Sequence, residues 1–99
     1  MTLKSWAYIF ISPNFKQDRT EISSSTCKVQ IIGLDINNKE AVIPLAKELV
    51  AQGAQLIELC GGFGPLWIAR IIEATEGKIP VGGVMYGPEA RKPMLDLLS

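Results

Sequence analysis

The sequence predicts an α/β protein with a small, mainly parallel sheet of four strands. Apolar stretches of strand length alternate with stretches of helical periodicity along the 99 residues. The resulting order is strand, crossover, strand, helix, strand, helix, strand, which right-handed connections turn into a parallel sheet. Apolar residues make up 47% of the chain, enough to bury a core. We expect one domain over residues 1–99, with residues 87–99 as a C-terminal tail.

The first predicted strand is Ser5–Ser12. It is apolar on both alternating faces, which is typical of a strand in the middle of a sheet. The polar, serine-rich segment 13–26 follows it. This segment is long enough for a crossover to a parallel strand, and we expect a short helix over about residues 16–22.

The second predicted strand, Cys27–Asp35, has Lys28 and Gln30 on one face, which indicates an edge strand. A helix is predicted over about residues 39–52, where apolar residues recur at helical spacing. Asn37 or Asn38 is the expected N-cap. Gly53 is the expected end of this helix, and Pro44 predicts a kink or a ragged first turn.

The third predicted strand is Gln55–Cys60, and the glycine-rich run Gly61–Gly64 comes directly after it. A second helix is predicted over Pro65–Glu76, since proline suits the first helical position. The fourth predicted strand is Pro80–Tyr86, whose glycine pair indicates a bulge or the close approach of another backbone.

A central first strand and an edge second strand give the order 2-1-3-4, a shortened flavodoxin-like sheet. The alternative is an α+β sandwich in which the first two strands are antiparallel. With so few helices one sheet face stays partly uncovered, so we expect a homodimer. The surfaces predicted to be buried in it are Trp6, Tyr8 and Phe10, or Leu95–Leu98.

Charge and composition exclude several classes of protein. Ten basic and ten acidic residues give a net charge of zero without a basic stripe, so we expect no nucleic-acid partner. No apolar run approaches the ~20 residues of a membrane span, so we expect no membrane partner. The apolar stretch near the N-terminus is too short for a convincing signal peptide, and we expect a cytoplasmic protein.

The chain contains no histidine, the commonest general base and metal ligand. Cys27 and Cys60 stand alone rather than in a C-x-x-C pair, which is no disulfide framework and no zinc site, so we expect no metal. The run Gly62-x-Gly64 lacks the third glycine of the dinucleotide motif, and no phosphate-binding P-loop motif is present. We therefore expect no cofactor.

In an open parallel sheet, ligands bind beyond the carboxyl ends of the strands where the strand order reverses. Glycines let backbone amides approach a ligand there, and the N-terminus of the second helix favours an anion. A small anionic ligand is therefore one possible partner; the alternative is that the glycines only form a tight turn. The predicted ligand-binding residues are Ser12, Asn14, Asp35, Gly61, Gly62, Phe63, Gly64 and Tyr86.

Two side chains are candidate catalytic groups. Cys60 follows a strand beside a helix N-terminus, a position that favours the reactive thiolate. Glu58 lies in a predicted internal strand, where an unpaired buried carboxylate is costly. Either its face is open to water or to a partner subunit, or Glu58 is a functional acid.

The segments Ala46–Val50, Ile57–Gly64 and Ile79–Gly82, with their E-L-C-G-G-F-G run, resemble a family of short prokaryotic α/β proteins classed as a domain of unknown function. The resemblance implies a compact α/β domain and no particular activity. Three functions stay open: a small-molecule or anion-binding module, a small isomerase, lyase or transferase using Cys60 or Glu58, and a structural interaction protein.

Overall fold

A computed structural model describes residues 2–99, which form a five-stranded mixed sheet and three α-helices. The α/β class is confirmed. The strands lie in the order β2-β3-β1-β4-β5, with β2 antiparallel to β3 and the other neighbours parallel. The strands are β1 (Ser5–Ser12), β2 (Asp18–Ser23), β3 (Lys28–Asp35), β4 (Ile57–Leu59) and β5 (Val81–Gly83), and the helices are α1 (Val42–Ala51), α2 (Gly64–Ala74) and α3 (Arg91–Leu98).

The segment predicted as a crossover differs most from expectation. Residues 13–26, all of them described, hold the edge strand β2 in place of the expected helix. A serine turn joins β2 to β3: the Ser24 hydroxyl accepts hydrogen bonds from the amides of Thr26 and Cys27, each at 3.2 Å. The predicted sheet of four strands therefore matches only roughly, and the second predicted strand is interior rather than an edge.

The two strands that the sequence places first are parallel, so the alternative antiparallel sandwich is wrong. β1 pairs with β3 along its whole length, from Ser5 opposite Lys28 to Ser12 opposite Asp35. On its other side β1 pairs with β4 from Ala7 to Ile9. The doubly apolar strand is thus in the centre of the sheet, as its sequence predicts.

One sheet face and two helices enclose the core. Side chains of β1, β3 and β4 on this face pack against the apolar stripes of α1 and α2 in one cluster. The cluster excludes water from almost every member, which is the main favourable term in folding. Its fully buried members include Ala7, Ile9, Ile32, Ile57 and Leu59 from the sheet and Val42, Ala46 and Ile71 from the helices.

The start of α1 corrects the predicted N-cap. Neither Asn37 nor Asn38 caps α1, which begins after a 3-10 segment over Ile36–Ala41. A carboxylate oxygen of Asp35 accepts a hydrogen bond from the Asn37 amide at 2.9 Å and caps that 3-10 segment. Pro44 lies in the first turn of α1, where a missing donor is tolerated. 

The glycine after α1 and the strands beyond it agree in part with prediction. Gly53 follows α1 with a φ of 98°, the left-handed backbone of a helix C-terminus, as expected. β4 and β5 have three residues each, shorter than the predicted strands Gln55–Cys60 and Pro80–Tyr86. A Cβ at Gly83 would lie 3.0 Å from the Ile68 side chain and 3.6 Å from the Leu59 carbonyl oxygen, so a side chain rather than the predicted second backbone comes closest to this glycine.

Among residues 2–99, no helix packs on the second sheet face. The connections through α1 and α2 run in the same direction across the sheet, so right-handed crossovers place both helices on one face. Only the connection from β1 to β3 reverses, and the antiparallel strand β2 makes it without crossing a face. We call the uncovered side the bare face; it carries partly exposed Trp6, Tyr8, Phe10, Val29, Ile31 and Leu56.

Gly33 lies on the bare face beneath two aromatic rings. Phe10 and Phe15 meet edge to face with ring centroids 5.0 Å apart. A Cβ at Gly33 would lie 2.7 Å from Phe10 Cζ and 2.8 Å from Phe15 Cδ1. Close packing of the two rings against the backbone thus requires glycine at this position.

We predict that Gly33→Ala lowers the free energy of unfolding by about 1–3 kcal/mol, the usual cost of overpacking. Urea unfolding followed by circular dichroism measures the change. Gly82→Ala is the matched control because its Cβ meets nothing within 4 Å. Equal unfolding midpoints for the two variants would show that the ring pair moves aside freely.

Candidate functional site

A pocket of about 360 Å³ opens at the carboxyl ends of β1 and β4. Its volume falls in the ~300–1,000 Å³ range of small-molecule sites. The position is the point where the strand order reverses, since β1 has β3 on one side and β4 on the other. The pocket is lined by Ile11, Ile36, Cys60, Gly61, Gly62, Tyr86, Met94 and Leu98.

Backbone pairing fixes the floor of the pocket. The Cys60 amide donates to the Ile9 carbonyl at 3.0 Å and extends the β1–β4 pairing by one residue. The Phe63 amide then donates to the Cys60 carbonyl at 3.2 Å, which closes the turn into α2. Cys60 is a free, partly buried thiol at the start of this turn.

The two glycines of the pocket are required by close contacts rather than by their backbone angles. A Cβ at Gly61 would lie 2.9 Å from a ring carbon of Tyr86, and one at Gly62 would lie 3.0 Å from Ile11 Cδ1. Within the run, Gly64 has a left-handed φ of 80° at the first residue of α2. The Tyr86 ring and the Ile11 side chain therefore reach the pocket floor because no side chain is present there.

The structure brings together three of the five predicted ligand-binding residues that follow β4, while Phe63 and Gly64 do not line the pocket. Gly61, Gly62 and Tyr86 line the pocket with the candidate nucleophile Cys60. Phe63 does not: its side chain is 5% exposed, belongs to the core and touches Trp67 edge to face.

Three other predicted residues lie outside the pocket. Ser12 and Asp35 are paired at the ends of β1 and β3, and Asp35 lines a separate cavity of about 320 Å³ with Phe15 and Lys16. Asn14 is exposed in the turn after β1 with a φ of 69°. The predicted edge is therefore divided into two surface regions rather than one crevice.

The predicted ligand-binding residues do not include the apolar half of the lining. Ile11 is predicted only as part of the first strand, and Ile36 is not among the predicted site residues. Met94 and Leu98 belong to α3, which lies in the segment predicted only as a C-terminal tail. Their spacing of four residues on one helical face was the available signal.

Acidic and phenolic groups adjoin the pocket. Tyr8 lies opposite Glu58 in the β1–β4 register. Partial burial raises the pKa of Tyr8 above its usual value, and negative charge on Cys60, Tyr86 or Glu58 would raise it further. Among the described residues that line the pocket there is no lysine or arginine.

Glu58 is exposed on the bare face. The cost of burying its carboxylate therefore does not arise, and of the two interpretations the open face is the one this position fits. Among residues 2–99, no group of three or more cysteine, aspartate or glutamate residues is placed to hold a metal ion.

The comparisons with known proteins show the family. The model of a family of unknown function, DUF6506, matches residues 4–99, so the chain belongs to that family. No curated protein and no solved structure matches the chain. Among the described residues, no helix is both long enough and apolar enough to span a membrane.

We predict that Tyr8 ionises later than a tyrosine of the unfolded chain. The folded state holds this proton more tightly, so its stabilising contribution is complete below the unfolded pKa of about 10 and is lost as the pH rises through the higher folded pKa. Tyrosinate absorbance during an alkaline titration of the folded protein should show a late step. Tyr8→Phe should remove that step, and its persistence in the variant would contradict the assignment.

Proposed function

We propose that this protein is a small-molecule-binding α/β module whose site is the pocket at the carboxyl ends of β1 and β4. The observation that carries the proposal is the convergence of four elements on one concave surface: the ends of two central strands, the Gly61–Gly62 turn and α3. Apolar side chains supply most of the lining, while Tyr86, Cys60 and the glycine backbone supply polar atoms. This combination is typical of sites that bury an organic ligand and fix its orientation.

The same lining favours a ligand with an apolar body. No cationic side chain lines the pocket among the described residues, and the nearby Glu58 would oppose a second negative charge. The Phe63 amide, one of the donors predicted to hold an anion, already donates to the Cys60 carbonyl. The small anionic ligand therefore stays a prediction, separate from this proposal.

The enzyme alternative also stays a prediction. Cys60 lies in the pocket and Glu58 on the adjoining bare face, but neither side chain takes part in the side-chain hydrogen bonds or ion pairs of the described residues. A thiol in a ligand pocket is nevertheless useful, because its alkylation reports whether the pocket is occupied. The cytoplasmic location is likewise a prediction.

We further propose that the module is a homodimer. Two apolar surfaces of the single chain stay uncovered: the bare face with Trp6, Tyr8 and Phe10, and the side of α3 that carries Leu95. Large exposed apolar patches of this kind mark interaction sites. The third function left open by the sequence is a structural interaction protein. This hypothesis rests on these surfaces alone and requires no ligand.

Thiol alkylation tests occupancy of the pocket. We predict that indole or cyclohexanol at millimolar concentration slows the reaction of iodoacetamide with Cys60 and leaves Cys27 unchanged, because Cys27 lies at the opposite end of the sheet, before β3. Mass spectrometry of each peptide gives the two rates. If neither compound nor a wider panel of neutral fragments protects Cys60, the proposal fails; amide shifts at Gly62 and Gly64 with inorganic phosphate alone would favour the anion alternative.

A glycine substitution tests the geometry of the same site. We predict that Gly61→Ala raises the Kd of a protecting fragment roughly fivefold, about 1 kcal/mol, because the new methyl displaces the Tyr86 ring. Tyr86 is exposed and can move, so the fold should be retained. Gly82→Ala, whose Cβ enters open space, is the control and should bind as the native protein does.

A further inference from the structure

We infer that α3 of one subunit docks on the bare face of a second copy, and that Arg91 forms an ion pair with Glu58 across this interface. The inference rests on the proposed homodimer and names the surfaces that form it. Two surfaces of the described chain support it. The side of α3 that carries Leu95 packs against little of its own subunit, and the bare face is not covered by a helix.

The helix surface is apolar and open. Met94 and Leu98 line the pocket of their own subunit, but Leu98 is still 75% exposed. A concavity of about 270 Å³ beside them is lined by α3 and Ser99 alone, without contribution from the rest of the described chain. Leu95 borders this concavity and is 61% exposed. A short helix with few contacts gains most of its stability from the packing of its apolar side. A partner that packs against this surface would therefore stabilise α3.

The sheet surface is the place where such a partner fits. In a doubly wound sheet of this strand order, a crossover helix between β1 and β3 covers the second face. Here β2 replaces that helix, and the aromatic and aliphatic side chains of β1 and β3 stay partly exposed. A helix from outside the subunit restores the layered arrangement that buries both faces of a parallel sheet.

Charge complementarity selects a second copy as the occupant. Within the described residues the ion pairs are Arg19–Glu48, Arg70–Glu40, Lys78–Glu76 and Lys92–Asp96. Arg91 and Glu58 take part in none of them. Arg91 lines the α3 concavity with Leu95, one turn away, while Glu58 lies on the bare face. The helix thus carries an unpaired cation and the sheet face an unpaired anion, and a two-fold axis forms the pair twice.

The bare face is larger than one helix. Its five strands, at about 3.3 Å per residue and about 4.8 Å apart, give roughly 440 Å² in projection. The eight residues of α3 form a helix about 12 Å long and about 10 Å wide, which covers roughly 120 Å² of such a face. The two-fold contact contains this helix-on-face pair twice, so we expect a small interface of less than ~1,200 Å² in total and a weak dimer.

Charge exchange tests the arrangement. We expect Glu58→Arg and Arg91→Glu each to raise the dimer Kd at least about tenfold, because each places two like charges together. The double variant should return the Kd to within about threefold of the native value. Sedimentation equilibrium from micromolar to about 100 µM measures all three, and circular dichroism confirms that these exposed positions leave the fold intact.

Lys92→Glu is the matched control, since it makes the same charge change on the same helix at a side chain that is 87% exposed and points away from the concavity lining. It should leave the Kd within about threefold of native. A native protein that is monomeric throughout the range would overturn the homodimer itself. A dimer that is insensitive to both reversals, or weakened by them without rescue, would keep the homodimer and overturn this interface, as expected for sheet face packed on sheet face.

Discussion

The return of the chain from β1 to β3 is the constraint on which the rest of the structure depends. Two parallel strands require a long connection, and a helix across the sheet is the common solution. This chain instead passes over the end of β3, runs down as β2 and turns back into β3. No helix is then available for the second face, whereas the connections through α1 and α2 both cover the first. The position of the core, the bare face and the exposed aromatic residues of β1 follow from that one connection.

The pocket forms at the carboxyl end of the central strand β1. Its inward residues Ala7 and Ile9 are fully buried, so the strand is held rigidly between β3 and β4. At its end Ile11 emerges beside the turn after β4, and glycine at position 62 leaves room for it. The pocket therefore forms where rigid strands stop and short turns begin, which is where α/β sheets generally bind ligands.

The sequence predicted those features that depend on burial and missed those that depend on exposure. Alternating apolar faces located β1, and helical stripes with Gly53 located α1, because these residues face the core. β2 has only Ile22 as a large apolar residue and all its side chains are exposed, so no periodic signal separates it from a polar loop or a surface helix. A pocket lies at the end of the sheet where strand order places the predicted ligand site, and ligand binding there stays a prediction. Its apolar wall was missed because Ile36 and α3 reach it through tertiary packing that local patterns do not encode.

The helix α3 belongs to both the proposed ligand pocket and the proposed dimer interface. Met94 and Leu98 line both the pocket and the adjoining concavity that the second copy is proposed to fill, and Arg91 and Leu95 line the concavity alone. Any ligand that holds α3 in this position lowers the entropic cost of presenting Arg91 and Leu95 to a partner. By linkage, dimer formation must then raise the affinity of the pocket by the same factor. A short helix with few contacts of its own is suited to such coupling, because small gains in packing on either side are large relative to its intrinsic stability.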